Sequence, residues 1–329
     1  MVKILVIGAS GYIGLRVVQH LRRADHIVYG ASRSATSATL LSENEAIPVL
    51  GTVDDWVQAI KNEHIDTVVD LAGDYDGIKN IVKPIIQAAK ERESNFGNKL
   101  NYVYVSGIWL HGSGQKYIDE LTPTGLKVSP SQPPSLVSWR PNLERELLSY
   151  RDHLNIVILR PSLVYGGAGN VWDLYFSQIY NQIQASADAP LKLAAKPDGA
   201  FSLIHLDDVG SAVVAAVGKA EVLAATKDSR VVPIFDLTTS HESTAYILQR
   251  VAQELGHKTG KIEFQPLPTG TDIESLFMIA FNTSLVHSAN TRAQSLLGWT
   301  PSRTRGFAVD AQIYTQAWKA RFLAIQHKK

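Results

Sequence analysis

Three glycines at a fixed interval, Gly8-x-x-Gly11-x-x-Gly14, are the residues of this chain best placed to do chemistry. The first glycine of such a set allows a tight turn, and the second lets the main chain approach a pyrophosphate. The third lets a helix pack closely on a strand. Ser10, Tyr12 and Ile13 occupy the intervening positions, where N–H groups at a helix start favour an anion. The spacing predicts a dinucleotide site. A second cluster, Ala31-Ser32-Arg33-Ser34, follows the next apolar run, where NAD-preferring sites usually hold a carboxylate for the ribose 2′-hydroxyl. Here the first carboxylate is Glu43. Arg33 can fork onto a 2′-phosphate while Ser32 and Ser34 donate hydrogen bonds, so the predicted cofactor is NADP(H) rather than NAD(H).

These residues need a strand before them and a helix behind, and the flanking sequence supplies both. Ile4-Leu5-Val6-Ile7 reads as a buried strand, and Leu15–Arg22 as a helix. Further strand candidates are 27–31, 46–50, 67–72, 102–106 and 156–160, with helices such as 54–63, 78–93 and 140–150 between them. This alternation predicts an α/β fold, a Rossmann-type doubly wound parallel sheet covered on both faces. Ligands of such sheets lie at the carboxyl ends of the strands. The βα rhythm fades after residue 165. We therefore expect a Rossmann domain from 1–165 and 205–240, and a smaller substrate-binding part from 166–204 and 241–329. The Ser/Thr-rich stretch 34–39 reads as a loop.

Composition narrows the function. A net charge of +1 without a basic block gives no expectation of a nucleic-acid partner. The absence of Cys removes disulfides, thiolate metal sites and a cysteine nucleophile, and no metal site is expected. No apolar run approaches the ~18 residues of a membrane span, and the first strand begins at residue 2. The expectation is a cytoplasmic protein with no leader peptide and no membrane partner.

Taken in order, several segments resemble the extended short-chain dehydrogenase/reductase superfamily in its NAD-dependent epimerase/dehydratase-like branch. They are Gly8–Gly14, Val68-Val-Asp-Leu-Ala-Gly73, and Tyr102-Val-Tyr-Val-Ser106 leading to His111-Gly112. Leu159-Arg-Pro-Ser-Leu-Val-Tyr-Gly166, Ile204-His-Leu-Asp-Asp-Val209 and Ala293-Gln-Ser-Leu-Leu-Gly-Trp-Thr-Pro301 complete the set. The resemblance implies that Leu71, Ala72 and Gly73 flank the adenosine and ribose side of the cofactor. It places Pro161, Ser162, Leu163 and Val164 beside the nicotinamide. Asp207 and Asp208 are expected to cap a helix beginning at Val209. Family members are often dimers, so a homodimer is the analogous expectation.

The resemblance breaks down at the family's catalysts, a Ser/Thr together with a Tyr-x-x-x-Lys. Gly107 takes the usual hydroxyl position, with Ser106 before it as a substitute and a further cofactor contact. Ser138 and Asn142 align with the Tyr and Lys. A serine hydroxyl is far too weak an acid to replace the Tyr, and Asn carries no charge. One literal Tyr-x-x-x-Lys, Tyr75 to Lys79, follows the fourth strand instead of lying on the expected helix. Ser106, His111, Tyr75 and Ser138 are thus the catalytic candidates. His111 is of a residue type suited to acid–base work, or it packs beneath the substrate domain. Arg140 holds a phosphate or an acidic substrate, or it is a solvated surface residue. The leading expectation is an NADP(H)-dependent reductase or dehydrogenase acting on a small organic carbonyl, alcohol or enone through a non-standard proton donor. The alternatives are a redox-neutral isomerase, dehydratase or cyclase, and a non-catalytic NADP(H) sensor resembling the NmrA-like regulators.

Overall fold

Successive residues of β1 (Lys3–Ile7) feed two different cores, which is why its apolar run is unbroken. Ile4 and Val6 join Val17, Val18 and Leu21 of α1 (Tyr12–Arg23) in one buried cluster. Leu5 and Ile7 join Trp56, Val57 and Ile60 of α3 (Val53–Asn62) in another. Between them lie β2 (Ile27–Ser32), α2 (Ala35–Glu43) and β3 (Ile47–Leu50). The computed structural model describes all residues except 74–75, 113–116, 168, 170, 227–230 and 327–329.

The chain continues through β4 (Thr67–Asp70), a wide π turn (Ile78–Val82), α4 (Lys83–Phe96) and β5 (Leu100–Val105). After the short β6 (Tyr117–Ile118) come α5 (Arg140–Ser149), β7 (Leu154–Pro161), β8 (Leu163–Tyr165), α6 (Asp173–Ala185), β9 (Leu191–Ala194) and β10 (Ala200–His205). The last part holds α7 (Leu206–Ala225), β11 (Ile234–Leu237), β12 (Ser240–Ser243), α8 (Thr244–Glu254), β13 (Ile262–Gln265), α9 (Ile273–Thr283), β14 (His287–Ser288) and α10 (Ala311–Gln326).

Seven strands form the main sheet in the order β11-β7-β5-β4-β1-β2-β3, and every pairing is parallel. The winding direction reverses between β1 and β4, so a crevice opens there at the carboxyl ends. This is the Rossmann-type sheet expected from the sequence. Smaller sheets, including β12-β10-β8, build the rest around an aromatic core with Trp172, Phe176, Phe281 and Phe307 fully buried. Among the described residues, no helix is long and apolar enough to cross a membrane.

Three local expectations need correction. The stretch 34–39 is not a loop, because Ser34 accepts the Ser37 N–H at 3.2 Å and starts α2. The seventh strand, β11, was not anticipated, since its four residues include the wholly buried Asp236. Asp207 and Asp208 lie inside α7 and do not cap it. The cap is His205, whose Nδ1 accepts the Asp207 N–H at 3.1 Å. Asp208 instead holds the Ser302 and Arg303 N–H groups at 2.7 and 3.0 Å.

Candidate functional site

The first and third glycines of the opening motif serve the tight turn and the close helix packing that their positions imply. Gly8 has φ +80°, and a Cβ there would sit 3.2 Å from the Leu71 carbonyl carbon. A Cβ on Gly14 would lie 2.0 Å from the Gly8 oxygen, so only glycine lets α1 pack this closely on β1. Gly11 is the helix cap, without a side chain to cover the N–H groups of Tyr12 and Ile13, and no acidic residue occupies the first turn. The donors and the dipole are thus left for an anion. This cradle of uncapped N–H groups fits the pyrophosphate of a dinucleotide. Ser10 lies beside it in a depression of about 430 Å³ that also includes Arg16 and Arg321.

At the end of β2 both serine hydroxyls are bonded within the turn. Ser32 Oγ donates to the Ser34 carbonyl at 2.9 Å, and Ser34 Oγ donates to Ser37 Oγ at 3.0 Å while capping α2. Both donors expected for a 2′-phosphate are therefore engaged in the turn. Arg33 is exposed, with its guanidinium 5.7 Å from the Trp56 ring centroid. After β4, Leu71 N–H bonds Ile7 O at 3.0 Å and Ala72 N–H bonds Asp70 Oδ1 at 2.9 Å. Leu71 thereby abuts Gly8 at the sheet reversal, with exposed Ala72 and Gly73 just beyond.

Next to the cradle lies a cavity of about 160 Å³. Tyr12 and Ile13 of α1 line it with Ser106, Gly107, Ile108 and Trp109 after β5, and with Arg140 at the start of α5. Pro161, Ser162, Leu163 and Val164 form another wall, and Val171 closes it. The structure thus gathers the expected nicotinamide-side residues around one space. Ser106 and Ser162 are only 8% and 4% exposed, and among the described residues neither Oγ has a hydrogen-bond partner. The Tyr12 hydroxyl donates to Gly166 O at 2.5 Å, and burial, followed by the nearby Asp173 charge, holds its pKa far above the ordinary tyrosine value. It is a poor proton donor.

The other proton-transfer candidates are elsewhere. His111 does not line the cavity. Its buried ring is tied through Nε2 to Asp236 at 2.8 Å, and Arg160 lies 3.6 Å from the same carboxylate. His111 thus sits within a charged core, the packing alternative offered by the sequence, and away from the cavity lining. Ser138 is also outside: it is exposed, donates to Ser135 O at 3.1 Å, and lines a separate depression of about 440 Å³ with Lys79, Lys83 and Asn142. Tyr75 lies outside the described residues. Tyr165 packs edge-on against His205, Phe307 and Tyr314. Trp109 and Val171 were missed as lining residues, since in sequence they are unmarked apolar positions.

Residues 4–93 match the model of the NAD dependent epimerase/dehydratase family. No curated protein sequence matches the chain. Among solved structures, dTDP-glucose 4,6-dehydratase from Bacillus anthracis in complex with NAD is similar at a TM-score of 0.69 and 16% identity, covering 97% of this chain and 99% of that one. UDP-glucose 4-epimerase from Bifidobacterium longum, in complex with NAD+ and UDP, gives 0.68 and 16%, with 97% and 98% covered. A nucleoside-diphosphate-sugar epimerase from Pseudomonas aeruginosa gives 0.70 and 16%, with 97% and 98% covered. From its glycine turn through its last helix, the chain has the fold of these dehydratase and epimerase structures.

Proposed function

We propose that the protein is an enzyme that binds a nicotinamide dinucleotide and catalyses a redox-neutral isomerase- or dehydratase-type reaction on a small molecule. The observation carrying this reading is the content of the cavity. It adjoins the pyrophosphate cradle, yet its ionisable side chains are the high-pKa Tyr12 and the permanently charged Arg140. Net reduction of a carbonyl requires a proton delivered with each hydride. An internal rearrangement needs no net proton, because the one a substrate hydroxyl loses would pass to water through the Ser106 hydroxyl and come back by the same route. The family model over residues 4–93 and the epimerase and dehydratase neighbours support the same reading. The NADP(H)-dependent reductase expected from sequence becomes the second reading, favoured by Arg33.

When bound, the nicotinamide would supply a reversible hydride acceptor. Tyr12 and Ile13 N–H groups would hold the pyrophosphate, and Pro161–Val164 would form the apolar wall that excludes water. Ser106 Oγ and Ser162 Oγ would orient a substrate oxygen, with Ser106 relaying a proton to water. Arg33 would contact a 2′-phosphate, which favours NADP(H) although the similar structures described above contain NAD.

Two measurements test this. Calorimetric titration with NADP+ and NAD+ should show tighter binding of NADP+. Arg33→Asp should weaken NADP+ by roughly 10- to 100-fold, as expected for losing a charge-assisted hydrogen bond. A substrate panel followed at 340 nm and by product analysis should give conversion without net nicotinamide oxidation. Stoichiometric NADPH consumption would instead establish the reductase, and tight binding without any turnover would establish a sensor.

A further inference from the structure

Arg140 has lost every carboxylate that its helix offers. Glu144, one turn further along α5, is the natural i,i+4 partner. Its buried carboxylate is taken by Arg160, whose Nη2 and Nε approach Oε2 at 2.5 and 3.1 Å. Glu146 lies 3.9 Å from Lys83 and accepts from the Tyr150 hydroxyl at 3.1 Å. Among the described residues no carboxylate pairs with Arg140, and its Nε is buried without a hydrogen-bond partner. The guanidinium rests against the Trp139 ring, with 5.4 Å from Cζ to the centroid, and lines the cavity.

Gly107 makes this placement feasible. A Cβ there would lie 2.7 Å from Arg140 Nη1, so the missing side chain is the space the guanidinium uses. At this one position the chain has exchanged a hydroxyl for a cation. The cavity also presents the unpartnered Ser106 and Ser162 hydroxyls and has no carboxylate in its lining.

We propose that Arg140 binds the carboxylate of a small organic acid in this cavity. A planar carboxylate matches the two-donor edge of a guanidinium. One fixed cation balances one negative charge, whereas a phosphate dianion would remain half uncompensated. The volume, about 160 Å³, is close to that of the roughly 150 Å³ cavity that holds benzene, so an acid placed at its Arg140 end, beside the nicotinamide wall of Pro161–Val164, is limited to a few carbons. This substrate class rests on the function proposed above, but recognition of the acid can be measured without turnover.

The experiment titrates the full-length protein with benzoate, crotonate, their neutral amides and inorganic phosphate, each with and without NADP+, by calorimetry. The carboxylates should bind at least tenfold more tightly than the amides and phosphate. Arg140→Gln should remove that preference while retaining the wild-type circular dichroism spectrum. Gly107→Ser, which forces the guanidinium aside, should weaken carboxylates at least fivefold. Equal binding of acids and amides, unchanged carboxylate affinity in Arg140→Gln, or tighter binding of phosphate would each overturn the proposal. Wild-type protein that binds NADP+ but none of the carboxylates would overturn it while leaving the dinucleotide reading intact. Carboxylate binding without any dinucleotide binding would support Arg140 and sink the proposed function.

Discussion

Single atoms govern the glycine turn. At Gly14 an added methyl would meet the backbone oxygen of Gly8 at 2.0 Å, and neither element can yield without moving the sheet. Gly14→Ala should therefore destabilise the fold by about 1–3 kcal/mol, the usual cost of overpacking a tight contact. Urea denaturation would measure the loss, and nucleotide titration of the folded fraction should show weakened binding. Arg33 lies at the opposite extreme, exposed and contributing charge with little packing. Arg33→Asp should accordingly alter cofactor preference and leave the unfolding midpoint within about 0.5 kcal/mol of wild type.

Between elements, the main device is a buried charged network. Arg160 of β7 is 4% exposed and joins Glu144 of α5 to Asp236 of β11, which in turn holds His111. Removing one partner of a buried pair leaves the other uncompensated. Glu144→Gln should thus cost about 3 kcal/mol in chemical denaturation. Glu120 adds pH sensitivity to the same network. Burial, followed by repulsion from Asp236, pushes its pKa up to about 8, while the N–H and charge of Arg292 pull the other way. The folded protein keeps this proton while the unfolded chain loses it near the ordinary carboxyl value. The stabilising contribution is full at acid pH and is lost as pH rises through about 8. The slope approaches 1.4 kcal/mol per pH unit for one proton. Glu120→Gln should flatten stability measured between pH 5 and 8.5, and an unchanged slope would count against this assignment.

Across the whole molecule, the sheet reversal between β1 and β4 sets the cradle, and the return of the chain through β7 and β8 adds the cavity wall. A ligand bound there would tie together residues from 8 to 171, and it stabilises only the folded state. NADP+ at about 100 times its dissociation constant should contribute about 2.7 kcal/mol. Differential scanning fluorimetry should show a rise of several degrees, larger than with NAD+ at equal concentration. No shift with either nucleotide would contradict the dinucleotide reading.

The elements nearest the glycine turn were legible because their signals are local. The apolar run of β1 and the spacing of α1 are read along the chain, and Ser34 could have been read as a helix cap by the same logic. β11 was not legible, since four residues carrying a buried Asp look unlike a strand until Arg160 and His111 stand beside it. His111 shows the limit for a site residue. Type and position after a strand suggested proton transfer, but nothing nearby indicates which way the ring faces, and its partner Asp236 is 125 residues away.

The sequence by itself determined the glycine turn, because what matters at Gly8, Gly11 and Gly14 is the absence of a Cβ, a covalent property of each residue. The resemblance read from it also implied that the usual catalysts are absent at Gly107, Ser138 and Asn142. Only the tertiary structure decided what stands over Gly107. Among the described residues Arg140 has no carboxylate partner there, because Arg160 of β7 takes Glu144. Charges are apportioned by distance in space, and that distance exists only once β7 and α5 have packed together.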